Sequence, residues 1–264
     1  MLAGLVESAT PSLLIMSTGP RVDHVVPLLG YTINTDEWHP SGAQVHLADK
    51  DGTASSSLWI DHLLLNDDQL GPYYCLSRAG LFEKSGHASA VTPQRVIAVL
   101  PEGAQVSPLR AELTARGGIR RLLSAMLSWH RGMELPRWLS LLAETRERRV
   151  FRTILVDRET YVGELRARPE LGEDGPAIGR LEAVAAILPD RFWMVEVSLP
   201  NILLANRSRL GEILVAPSGE TPRILLARMP GVIGALKDDD LDLSRFPMET
   251  YVPMHSSGEN SNTW

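Results

Sequence analysis

The chain has 264 residues, 44% hydrophobic and 22% charged, with a formal net charge of −6. That length and balance suit a soluble globular protein able to bury a sizeable core. The acidic charge argues against a nucleic-acid partner, and the single cysteine, Cys75, excludes a disulfide framework and a cysteine-rich zinc site.

No run approaches the ~18–20 apolar residues of a membrane helix. The N-terminus lacks a basic leader region and carries Glu7, so no secretory signal is expected. A cytoplasmic protein without membrane attachment is the expectation. In chain order, residues 1–9 read as helix, with Leu2, Leu5 and Val6 on one side and Thr10-Pro11 closing it. SLLIM (12–16) reads as a short strand, and the run from Asp23 to Ile33 as a longer one, in which Pro27 implies an edge position or a bulge. Residues 45–49 are a further short strand, 57–67 a strong one, 69–82 an irregular return and 91–101 another strand. The character then changes. Residues 107–131 read as a helix that Gly117-Gly118 divides, and 135–149 as a second amphipathic helix. Strands at 150–157, 191–199, 211–217 and 223–229 alternate with helices at 158–168 and 177–188.

Two apolar runs carry the candidate chemistry. His24 opens one of them, and the pair Asp67 and Asp68 closes the other. A histidine at the start of one strand and an aspartate at the end of the next can meet as a base and its orienter. Strand alternation allows only one of the two aspartates onto the histidine's face. The plainer readings are a core-edge histidine bonded to backbone and an Asx turn that ends the strand. Cys75 lies in the extended, aromatic PYYCL rather than at a helix start, so it reads as a buried small side chain and not as the nucleophile. His39, His46 and His62, with Asp36, Glu37 and Asp61, match no metal-ligand spacing, and Asp61 and His62 should point apart on one strand. No metal and no cofactor are expected. Ser55-Ser56-Ser57 has no G-x-S-x-G setting, and Gly117-Gly118 is no phosphate loop.

TPSLLIM at 10–16, HVVPLLGY at 24–31 and LLLND at 63–67 together resemble the C-terminal half of a papain-like cysteine peptidase domain, near the bacterial leader-processing branch. The likeness covers about the first third of the chain. It implies an antiparallel sheet of the barrel-half type, His24 as the proton shuttle and Asp67 as its orienter, with Asp68 the alternative. It also implies a nucleophilic cysteine on a helix that would precede residue 1. The expected fold is α+β: a papain-like half over 1–101, a helix-rich mixed region over 102–250, and a disordered tail over 251–264. The expected function is that of an incomplete or degenerate papain-like thiol hydrolase, inactive as this chain. The alternative is a non-catalytic interaction module on the same scaffold, with a protein or peptide partner or with itself.

Overall fold

The computed structural model describes residues 1–19, 22–33, 53–77, 91–129, 140, 149–166, 178–199, 208–229, 232–237, 240–242 and 254–255. In chain order the elements are α1 (Leu2–Glu7), β1 (Ser12–Gly19), β2 (Val22–Ile33), β3 (Thr53–Ser55), a 3₁₀ turn (Ser56–Trp59), β4 (Ile60–Asp67), β5 (Gly71–Ser77), β6 (Thr92–Ala98), α2 (Pro108–Trp129), β7 (Arg149–Asp157), α3 (Arg158–Arg166), α4 (Ile178–Ile187), β8 (Arg191–Ser198), β9 (Ser208–Arg209), β10 (Gly211–Val215), β11 (Ile224–Met229), β12 (Val232–Lys237), β13 (Asp240–Asp242) and β14 (Met254–His255). The fold is α+β. The strand expected over 45–49 and most of the helix expected over 135–149 lie outside the described residues. No helix among those described is long and apolar enough to cross a membrane.

The first sheet is antiparallel, in the order β5-β4-β2-β1-β6. Alternation sorts its side chains. Leu14, Met16, Val26, Leu28, Tyr31, Leu63, Leu65 and Leu76 pack on one face with Ala3 and Val6 of α1. The other face leaves Leu13, Val25, Leu29 and Ile97 exposed. Two expectations need correction here. The 69–82 segment is not irregular throughout, because residues 71–77 form β5 and pair along β4. Gly71 takes the left-handed φ of 97° that the tight return requires. Pro27 sits on an interior strand, which removes the edge alternative and leaves the bulge. It pairs with Leu13 in β1, while the β4 ladder begins only at Leu28 and shifts register before Gly30.

The second sheet, β13-β12-β11-β10-β8-β7-β3, is antiparallel except where β3 runs parallel to β7. The interior strand β8 is buried on both faces, which is why its sequence is almost continuously apolar. Trp193, Val195 and Val197 meet Ala111, Ala115, Ile119, Leu122 and Leu123 of α2. Phe192 and Met194 meet Tyr161, Val162 and Leu165 of α3 and Val184 of α4. The helix α2 is unbroken through Gly117-Gly118. A side chain at Gly118 would overlap Ile224, so the glycine lets α2 approach the sheet. The tail expected to be disordered over 251–264 contributes Met254–His255, which pair with β9. Backbone pairing there outweighs the polar composition of the tail.

A row of charges crosses this second sheet on one rung. Arg152 pairs across to Glu196, Glu196 to Glu212, and Glu212 to Arg228. All four are buried. Arg152 Nη1 donates to Glu196 Oε2 at 3.0 Å, and Arg228 Nε donates to Glu212 Oε1 at 2.6 Å. Arg209 of β9 reaches between the two carboxylates, 2.7 Å from Glu196 and 3.0 Å from Glu212. At its far end the row leaves the sheet. Arg152 also holds Glu7 of α1, which accepts from the Tyr31 hydroxyl of β2. Burial pushes the Glu212 carboxyl up, but the guanidiniums of Arg209 and then Arg228 pull further and hold it at about 2.

Removing one partner of a buried ion pair strands the other. Glu212→Gln is expected to lower stability by about 3–5 kcal/mol in denaturant unfolding. Asp157→Ala removes only the cap that receives Thr160 N at 2.8 Å at the start of α3, at a cost of about 1 kcal/mol. The acid response has a definite sign. The folded carboxyl of Glu212 lies below its ordinary value, so its contribution is full above about 4.5 and is lost as pH falls toward about 2. Unfolding midpoints measured across that window should fall with pH, and less steeply in Glu212→Gln.

Candidate functional site

β2 and β4 are antiparallel neighbours, and His24 lies near the start of one while Asp67 ends the other. The pairing therefore brings both to one end of the sheet. Register fixes the face as well. His24 stands opposite buried Met16, and Asp67 follows Leu63 and Leu65 on the packed side. His24 Nε2 lies 3.0 Å from Asp67 Oδ2, with the histidine side chain 20% exposed and the aspartate 5%.

Asp67 is fixed by more than the histidine. Its Oδ1 accepts the backbone N–H groups of Gln69 and Leu70, each at 2.8 Å. One oxygen thus builds the Asx turn that ends β4, and the other meets the ring. The Leu70 N–H, then that of Gln69, and then the His24 imidazole hold the carboxyl below its ordinary value, against an opposing push from burial. An ionised carboxylate accepts only. The neutral imidazole therefore carries its proton on Nε2 and its lone pair on Nδ1. Nδ1 has no hydrogen-bond partner among the described residues.

Alternation allows only one aspartate onto the histidine's face, yet Asp68 Oδ1 also lies 3.5 Å from His24 Nε2. Alternation stops where β4 ends at Asp67, and Asp68 already belongs to the turn. Its side chain is 79% exposed, so water screens this second carboxylate. His24 Nε2, Asp67 Oδ2 and Asp68 Oδ1 could together hold a divalent cation. Among the described residues they are the group of three such atoms lying within 4.8 Å of one another.

Cys75 is exposed, not buried as its aromatic neighbours implied. β5 is an edge strand whose inward side chains are Tyr74 and Leu76, so Cys75 stands beside Leu64 on the outer face. His24 and the thiol are on opposite faces of one sheet. The thiol's hydrogen bond runs to its own strand, to Tyr73 O at 3.6 Å. Asp61 and His62 do not point apart: Oδ2 and Nδ1 lie 3.0 Å from each other. The β2–β4 register shifts between Ile60 and His62, which breaks the alternation at Asp61. His39, His46, Asp36 and Glu37 lie outside the described residues. Ser55 is a structural residue, donating to Glu112 at 3.2 Å.

The sequence reading missed the charge row that reaches this sheet through Glu7 and Tyr31. A signal for it exists. FRTI, MVEV, GEIL and LARM each hold one charge inside an otherwise apolar run. Charges so placed need partners on neighbouring strands.

Ring ¹⁵N shifts in mildly alkaline solution should report His24 as the Nε2–H tautomer. Asp67→Ala should turn this into a tautomer mixture, whereas Asp68→Asn should leave it unchanged. No protein-family model, curated protein or solved structure matches the chain, so the chemistry of the site rests on its own geometry.

Proposed function

We propose that His24 and Asp67 are the acid–base half of a papain-like thiol hydrolase, and that this chain is an incomplete or degenerate member of that group. The observation that carries the reading is the 3.0 Å contact from Nε2 to a carboxylate anchored by two backbone amides. It leaves Nδ1 as the atom that works. In such chemistry Nδ1 takes the proton of an attacking thiol, the sulfur adds to an amide carbonyl, and the same proton passes to the departing amine. Asp67 holds the ring and stabilises the imidazolium. The sulfur comes from outside these 264 residues, whose one cysteine, Cys75, faces the other way. A non-catalytic interaction module is the second reading, favoured by the apolar side chains exposed on the outer face of the same sheet.

A thiol-directed electrophilic probe should label Cys75 slowly, and equally in His24→Ala. Rapid labelling that His24→Ala abolishes would overturn the assignment. A small thiol added with an activated ester supplies a substitute nucleophile. Wild type should then outpace His24→Ala by about tenfold, short of the ~10²–10⁴ of a fully positioned acid–base group. Equal rates would remove the acid–base role and leave the interaction module.

A further inference from the structure

Three ligand-type atoms converge where β4 ends. His24 Nε2 lies 3.0 Å from Asp67 Oδ2 and 3.5 Å from Asp68 Oδ1. The nitrogen carries at most one proton and offers it to one acceptor at a time. Yet two carboxylates stand against it, and neither has a Lys or Arg partner among the described residues. Orienting the ring accounts for Asp67 alone. Nothing in the acid–base reading uses Asp68, although it turns toward the same nitrogen.

A divalent cation answers this arrangement better than a proton does. Zinc bonds to imidazole nitrogen and carboxylate oxygen run ~2.0–2.2 Å, so two ligands at angles of about 90–110° stand roughly 2.8–3.6 Å apart. The separations of 3.0 and 3.5 Å fall within that range. One donor atom from each of the three residues lies within 4.8 Å of the other two, and the exposed Asp68 is free to swing the rest of the way. Asp67 is already fixed as a ligand. Its side chain is 5% exposed, and its Oδ1 takes the N–H groups of Gln69 and Leu70 at 2.8 Å each, which leaves Oδ2 for the ion. Ligating carboxylates are held by outer hydrogen bonds of this kind. Two carboxylates match the charge of a divalent ion. An imidazole ligand selects a zinc-class ion over Mg²⁺ or Ca²⁺, which favour oxygen.

We propose that His24, Asp67 and Asp68 form a binding site for a zinc-class divalent cation, with Nε2 and one oxygen of each carboxylate as its ligands. The binding rests on these side chains and not on the thiol-hydrolase reading. The two uses of the ring exclude each other. A cation on Nε2 displaces the proton held there, and the neutral ring then carries its proton on Nδ1, where no lone pair remains to accept one from a thiol. For the acid–base role proposed above, the cation is therefore a reversible block, and that consequence alone rests on the reading.

The test is isothermal titration of the full chain with Zn²⁺, with circular dichroism to check the fold of each variant. The chain has seven histidines, so the variants identify the site. His24→Ala should remove one zinc site. Asp67→Asn, which keeps an oxygen for the turn, and Asp68→Asn should each weaken it by more than about tenfold, since even a change in the outer shell costs that much. Mg²⁺ or Ca²⁺ at equal concentration should not displace the zinc. Ring ¹⁵N shifts give a readout apart from activity: zinc saturation should move His24 from the Nε2–H to the Nδ1–H tautomer. If His24→Ala or Asp67→Asn disturbs the fold, the exposed Asp68→Asn and the wild-type ring shifts decide the matter. The proposal is overturned by an absence of zinc binding, by a site that survives His24→Ala, by unchanged affinity in Asp68→Asn, by displacement with Mg²⁺ or Ca²⁺, or by a ring that stays Nε2–H at saturation. These results are separable from the acid–base test, which can fail while zinc still binds and can succeed where zinc does not.

Discussion

The buried row Glu7–Arg152–Glu196–Arg209–Glu212–Arg228 is the constraint on which the architecture depends. Arginine keeps its proton even when buried, so each guanidinium must be matched in place. Glu196 and Glu212 are direct cross-strand neighbours and would repel each other without Arg209 between them. Charge therefore fixes the register of β7, β8, β10 and β11 together with apolar burial. A slip of one residue would turn acids and bases under α2, among Ala115, Ile119 and Leu122, where no partner awaits them.

The row reaches the candidate site by a short path. Glu7 joins the second sheet to α1, and Tyr31 joins Glu7 to β2, the strand that also bears His24. α1 further seals the edge of β7 beyond β3, where Leu155 N donates to Ser8 Oγ at 2.9 Å. The His24–Asp67 pair thus sits on a sheet anchored at one side by ionic contacts and at its own end by a turn. Asp67 divides its two oxygens between backbone and ring, so the feature that ends the strand also aims the imidazole.

Much of this was legible in the sequence where one local force dominates. VFRTILVD, RFWMVEVSL, GEILVAP and RILLARM gave strands within a residue or two, because long apolar runs have nowhere to go but a core. The meeting of His24 with an aspartate was legible for the same reason: each residue ends an apolar run whose direction is set. β5 was not, because GPYYCLS opens with Gly and Pro, and Tyr73 takes a φ of 59°. Only its pairing with β4 makes it a strand. The charge row was not legible either, since its members lie up to 221 positions apart and each alone resembles an ordinary surface charge.

The docking of α1 onto β7 has a consequence for how the protein is made. Residues 2–7 form a helix whose seat, around Arg152 to Leu155, is built from residues translated more than a hundred positions later. Thr53–Ser55 wait for the same strand. The nascent chain must hold α1 undocked while β7 and β8 assemble, and only then can this helix close over them.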